Sequence, residues 1–114
     1  TMNEHKERRK ILVNVLSRGE YPQCTEALLK GDAFCCLGVM CDLHAKETGG
    51  EWVHGCRYLG QEYELPIDVM VWFGLRSPRG DFAGETLAEL NDDGTPFSEI
   101  ASIIESEPEG LFVD

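Results

Sequence analysis

The chain has 114 residues, 42% of them apolar, and a net charge of −11 at neutral pH. That length suits one domain that can bury its own core, and no apolar run approaches the roughly 18 residues of a membrane-spanning helix. The charge is lopsided: residues 1–60 balance eight Lys and Arg against eight Asp and Glu, whereas residues 61–114 hold thirteen Asp and Glu against Arg76 and Arg79 alone. An acidic field of that kind repels phosphate backbones, so direct nucleic-acid binding is disfavoured.

A first helix is predicted from Asn3, as its cap, to about Ser17. Ile11, Leu12, Val15 and Leu16 give it an apolar stripe, and Gly19 suits the left-handed residue that ends a helix. Glu20–Gln23 then reads as a turn around Pro22, and 25–30 is ambiguous between a helical turn and a strand. A second helix starts near Ala33–Cys35 and ends before Gly49-Gly50, with Cys36, Val39, Met40 and Leu43 at core-face spacing. Gly38 inside it costs about 1 kcal/mol of helix propensity, which predicts that another segment approaches the helix backbone there.

Residues 51–65 lose the helical period and are rich in aromatics and glycine, the mark of a small β-hairpin. Leu65-Pro66 opens a third helix with Pro66 in its first position, Ile67, Met70, Val71 and Phe73 inward, and Gly74 at its end. Thr86-Leu87-Ala88-Glu89 fits a capping box before a short fourth helix. Thr95-Pro96 starts a fifth, whose stripe is Phe97, Ile100, Ala101 and Ile104, stopped by Pro108. The predicted fold is mainly helical α+β, a single domain over 1–114 with a short hairpin around 51–65.

The densest chemistry lies in Phe34–His44, with three of the five cysteines and one histidine in eleven residues. A closed zinc site favours paired ligands such as C-x-x-C. Here only Cys41 and His44, three apart, could share a helical face, with Cys24, His54 or Cys56 completing the set. The competing reading makes the cysteines small buried apolar residues. A reactive thiol at Cys35 or Cys36 would be favoured near a helix N-terminus, with His44 or His54 as base. Glu89, Asn91, Asp93 and Gly94 match the opening of an EF-hand loop, but position 12 is Ile100 rather than a bidentate Glu. The last two helices suggest a helix-turn-helix, but residues 81–114 contain no Lys or Arg to hold phosphates. They read instead as an αα-hairpin burying Leu87, Leu90, Phe97 and Ile100. No metal or other cofactor is therefore expected. The odd cysteine count and the charged Glu4–Lys10 stretch, unlike an export signal, point to free thiols in a reducing cytoplasm.

Phe34-Cys35-Cys36-Leu37-Gly38-Val39-Met40-Cys41-Asp42-Leu43 resembles a signature of small uncharacterised proteins from tailed bacteriophages and bacteria. The resemblance continues in Tyr58-Leu59, Leu65-Pro66, Trp72-Phe73-Gly74-Leu75, Thr86–Asp92 and Phe97–Ala101, and spans about Arg8 to Glu107. It implies a phage-type accessory protein working in the bacterial cytoplasm and supplies no reaction.

Three functions follow as expectations. The first is a non-enzymatic binding protein whose acidic half, through Glu85, Glu89, Asp92, Asp93, Glu99 and Glu105, engages a basic host or phage protein as inhibitor or nucleic-acid mimic. The second is a small-ligand sponge or sensor with an aromatic pocket at Trp52, Tyr58, Tyr63 and Trp72. The third is a zinc- or thiol-dependent enzyme.

Overall fold

A computed structural model describes all residues, 1–114. Five helices and three two-stranded antiparallel hairpins alternate along the chain: α1 (Met2–Arg18), β1 (Leu29–Lys30), β2 (Ala33–Phe34), α2 (Cys36–Thr48), β3 (Trp52–Val53), β4 (Arg57–Tyr58), α3 (Ile67–Phe73), β5 (Asp81–Phe82), β6 (Glu85–Thr86), α4 (Leu87–Asp92) and α5 (Phe97–Ser106). The α+β class holds, and the expected hairpin sits at β3–β4 with Trp52 opposite Tyr58. Of the two readings of 25–30 the strand holds, at Leu29–Lys30, and it pairs with Ala33–Phe34, which precede α2; this hairpin and β5–β6 differ from expectation because strands of two residues are too short to show a period of two.

The helix ends follow local chemistry. Thr1, rather than Asn3, caps α1 through a reciprocal capping box with Glu4, and Gly19 closes the helix at φ 69°. Cys35 caps α2, its sulfur accepting from the Gly38 N–H at 3.4 Å. Pro66 and Pro96 stand immediately before α3 and α5 rather than inside them, a shift of one residue from expectation.

The core centres on α2. Cys36, Leu37, Gly38, Val39, Met40 and Cys41 are consecutive and all buried, so this part of the helix is enclosed on every side. It packs on α1, α3 and α4. The expected close approach at Gly38 is present: a Cβ there would fall onto the Leu28 carbonyl. That carbonyl also accepts from the Cys35 N–H at 3.2 Å, so the 27–29 segment lies flat on the start of α2. Along the other side α1 runs against α5, burying Leu12, Val15 and Leu16 with Ile100, Ala101 and Ile104.

The third helix corrects one expectation. Val69 and Phe73 point inward, whereas Ile67 is 72% and Val71 58% exposed. Five of its seven residues are apolar besides Trp72 and Asp68, so periodicity had little contrast to work with. After α3 the chain returns to it at the end: Val113 N–H donates to Gly74 O at 2.8 Å and Arg76 N–H to Leu111 O at 3.0 Å. Arg9 closes that corner, buried, with Nη2 2.8 Å from the Asp114 carboxylate and its guanidinium over the Phe112 ring.

Candidate functional site

The Phe34–His44 run is structural in its surroundings. Cys35, Cys36 and Cys41 are buried, and burial pushes their thiols up, Cys35 to about 11 and the other two well above the ordinary range. A thiol held that way is a poor nucleophile at neutral pH. Cys36 Sγ faces the Leu87 carbonyl at 3.6 Å, and Cys24 Sγ faces those of Ala33 and Ala27 at 3.3 and 3.6 Å. The cysteines serve as small side chains between closely packed backbones.

Cys41 and His44 do not gather a metal set. No group of three or more His, Cys, Asp or Glu is placed to hold an ion. His44 Nδ1 instead lies 2.6 Å from the Tyr58 hydroxyl, and both residues are buried. Burial lowers the His44 pKa and raises that of Tyr58. The contact gives two buried polar groups a partner at once.

The aromatic residues proposed for a pocket form a packed chain instead. Tyr21 meets Phe34 edge-on, Phe34 meets Trp52, Trp52 meets Tyr58, and His44 touches both Tyr58 and Trp72, with centroid separations of 5.0–5.9 Å. Each such pair contributes about 0.5–1.5 kcal/mol beyond its buried area. Asp42 pins the chain, accepting from Trp52 Nε1 at 3.1 Å and from the Tyr21 hydroxyl at 2.6 Å. Arg8 covers Trp72, its guanidinium 3.5 Å from the ring centroid. Tyr58 is fully buried, and Tyr63, 60% exposed, stands outside the chain. The four residues therefore do not surround one cavity: only Trp72 lines any, a recess of about 60 Å³.

The key polar residue is Asn91, fully buried at the inner face of α4. Its Oδ1 accepts from the Cys36 N–H and from Gln23 Nε2, each at 3.0 Å, and its Nδ2 donates to the Cys24 carbonyl at 2.9 Å. Only one orientation of the amide satisfies that set. Asn91 thus caps the first turn of α2 from another helix and ties the two most distinctive motifs, Phe34–Leu43 and Thr86–Asp92, together. Asp92 continues the link by accepting from the Glu26 N–H at 2.8 Å. An inward Asn91 also removes the EF-hand reading, because position 3 of that loop faces the core.

The acidic residues separate into three environments. All six are exposed, and the ion pairs of the molecule involve none of them. Asp92 is occupied by Glu26. Glu89 accepts from the Thr86 hydroxyl at 3.1 Å while Thr86 Oγ1 accepts from the Glu89 N–H at 2.9 Å, a capping arrangement closed through the hydroxyl rather than the backbone. Glu105 lines a groove with residues of α1. With Asp92 and Glu105 set aside, Glu85, Glu89, Asp93 and Glu99 remain along β6, α4, the turn after it and the first turn of α5, the turn being tight enough for the Thr95 N–H to donate to Leu90 O. The hairpin buries Leu87, Phe97 and Ile100, as expected, with Leu90 partly covered.

No helix is long and apolar enough to cross a membrane. Among curated proteins and among solved structures, nothing matches the chain. A family model does match residues 2–108, nearly the whole chain and both motifs joined by Asn91, so the protein belongs to the family described as Domain of unknown function (DUF8296).

Proposed function

We propose that this protein is a phage-type accessory protein of the bacterial cytoplasm that works by binding, presenting the acidic surface of β6, α4 and α5 to a basic patch on a partner protein. The observation that carries this reading is that Glu85, Glu89, Asp93 and Glu99 are exposed, lie on consecutive elements and have no cationic partner within the molecule. In a chain of net charge −11, carboxylates without counter-ions repel one another and gain from a cationic surface. The buried, high-pKa thiols and the internally bonded His44 support a binding role over a catalytic one.

The test is affinity capture from bacterial lysate with the wild type and with a Glu85→Gln/Glu89→Gln/Asp93→Asn/Glu99→Gln variant. The substitutions keep side-chain size and the Thr86–Glu89 cap. A specific partner retained by the wild type, lost by the variant and released steeply by salt supports the proposal. Equal recovery by both proteins refutes it.

A further inference from the structure

The largest concave site lies away from the acidic hairpin, between α1 and the end of α5. It has a volume of about 440 Å³, within the span of roughly 300–1,000 Å³ typical of small-molecule sites. One wall belongs to α1, where Lys6, Lys10 and Asn14 follow one another at four-residue spacing along one stripe with Arg9 beside them. The opposite wall carries Glu105 and Glu107, and Val13 and Ile104 supply the apolar part.

The charges across this groove close only in part. Glu107 approaches Arg9 at 3.6 Å, but neither Lys6 nor Lys10 forms an ion pair, although both share the groove with carboxylates. Two ammonium groups therefore face an open space rather than a counter-ion. A second observation lies at the same place. Arg9, which also lines the groove, is 95% buried at its side chain, and its Nε, itself out of reach of solvent, has no hydrogen-bond partner. Leaving such a donor unpaired costs about 1–3 kcal/mol.

The balance of charge selects the ligand. Three cations against two carboxylates make the walls nearly neutral in sum, so a polyanion would meet two carboxylates and the acidic field of the whole chain, and a polyamine would meet three cations. We infer that the groove binds a small zwitterion of the amino-acid or short-peptide class, its carboxylate toward Lys6, Lys10 and Asn14, its ammonium toward Glu105, and an aliphatic group on Val13 and Ile104. This site is independent of the acidic hairpin, sharing none of Glu85, Glu89, Asp93 or Glu99.

The experiment is titration of the isotopically labelled full chain with leucylglycine, followed by amide chemical shifts of α1 and α5. Saturable shifts confined to those elements, with a Kd on the order of 1 mM or tighter, are expected. N-acetyl-leucylglycine, which lacks the ammonium, and the variants Lys6→Gln/Lys10→Gln and Glu105→Gln should each bind about five-fold or more weakly. All three substituted positions are exposed, so the fold is retained and the comparison stands. Absence of saturation, or inorganic phosphate or putrescine binding as well as the dipeptide, overturns the assignment.

Discussion

Truncating Asn91 should be among the most damaging single changes available outside the apolar core. Asn91→Ala removes four hydrogen bonds, one of them a 3.4 Å bond to the exposed Asp92 carboxylate, and strands three other partners: the Cys36 N–H in the first turn of α2, the Cys24 carbonyl, and Gln23 Nε2. Gln23 is exposed, keeps its bond to Thr95 O and can find water, so its share is small. The Cys36 N–H is buried, and an unsatisfied buried group costs about 1–3 kcal/mol. With the Cys24 carbonyl partly exposed and the void of the lost side chain added, the total is about 3–5 kcal/mol. Unfolding entropy of about 2.1 cal/mol/K per residue makes that a fall of roughly 12–20 °C in Tm for a chain of this length. Urea unfolding followed by far-UV circular dichroism measures it, with Asp93→Asn as the matched surface control, expected within about 0.5 kcal/mol of the wild type. A loss below about 1 kcal/mol for Asn91→Ala would refute the claim that this side chain joins α4 to α2.

Other consequences follow from the same contacts. Gly38→Ala gains about 1 kcal/mol of helix propensity, but its Cβ meets the Leu28 carbonyl, backbone that cannot swing away, so a net loss of about 2–3 kcal/mol is expected in the same unfolding assay. Native thiol titration should find Cys24 and Cys56, both partly exposed, reacting well before Cys35, Cys36 and Cys41, which should need denaturant; five equally fast thiols would contradict the buried arrangement. His44 gives a pH dependence. Its folded pKa lies below the ordinary 6.5, so the unfolded chain binds the extra proton first. The stability it contributes is complete above pH 6.5 and is lost as pH falls toward the folded pKa. Denaturation midpoints should therefore drop between pH 7 and 5, and His44→Gln should flatten that drop; identical slopes would contradict it.

The helices were legible because their punctuation is chemical. Gly19, Gly49, Gly74, Thr86 and Pro96 each mark a boundary by what their backbone or side chain permits. The close approach at Gly38 was legible too, since a helix-interior glycine needs a reason. Less visible was the use of polar residues. Asn91 lies in Asn-Asp-Asp-Gly, which by composition is a solvent-facing turn, yet Leu87, Ala88 and Asn91 share the buried face of α4. The helical period of that short segment was the available signal. Aromatic crowding between 52 and 72 suggested a pocket, but whether aromatic rings enclose space or fill it depends on long-range placement. Here Asp42, Arg8 and His44, all distant in sequence from the rings they touch, decide for filling. Likewise the charge asymmetry located the acidic half without separating Asp92, which holds Glu26, from the four carboxylates that face solvent.

The proposal divides the molecule in two: the cysteine-rich signature builds the frame, and the acidic surface of β6, α4 and α5 is proposed to engage the partner. Its most direct test is the affinity of the captured partner for two proteins: the folded Glu85→Gln/Glu89→Gln/Asp93→Asn/Glu99→Gln variant, and a conservative Cys41→Ser variant of the frame. Loss of partner affinity in the first, with wild-type affinity in the second while it remains folded, is the predicted result. Undiminished binding by the charge-neutralised surface would contradict the account.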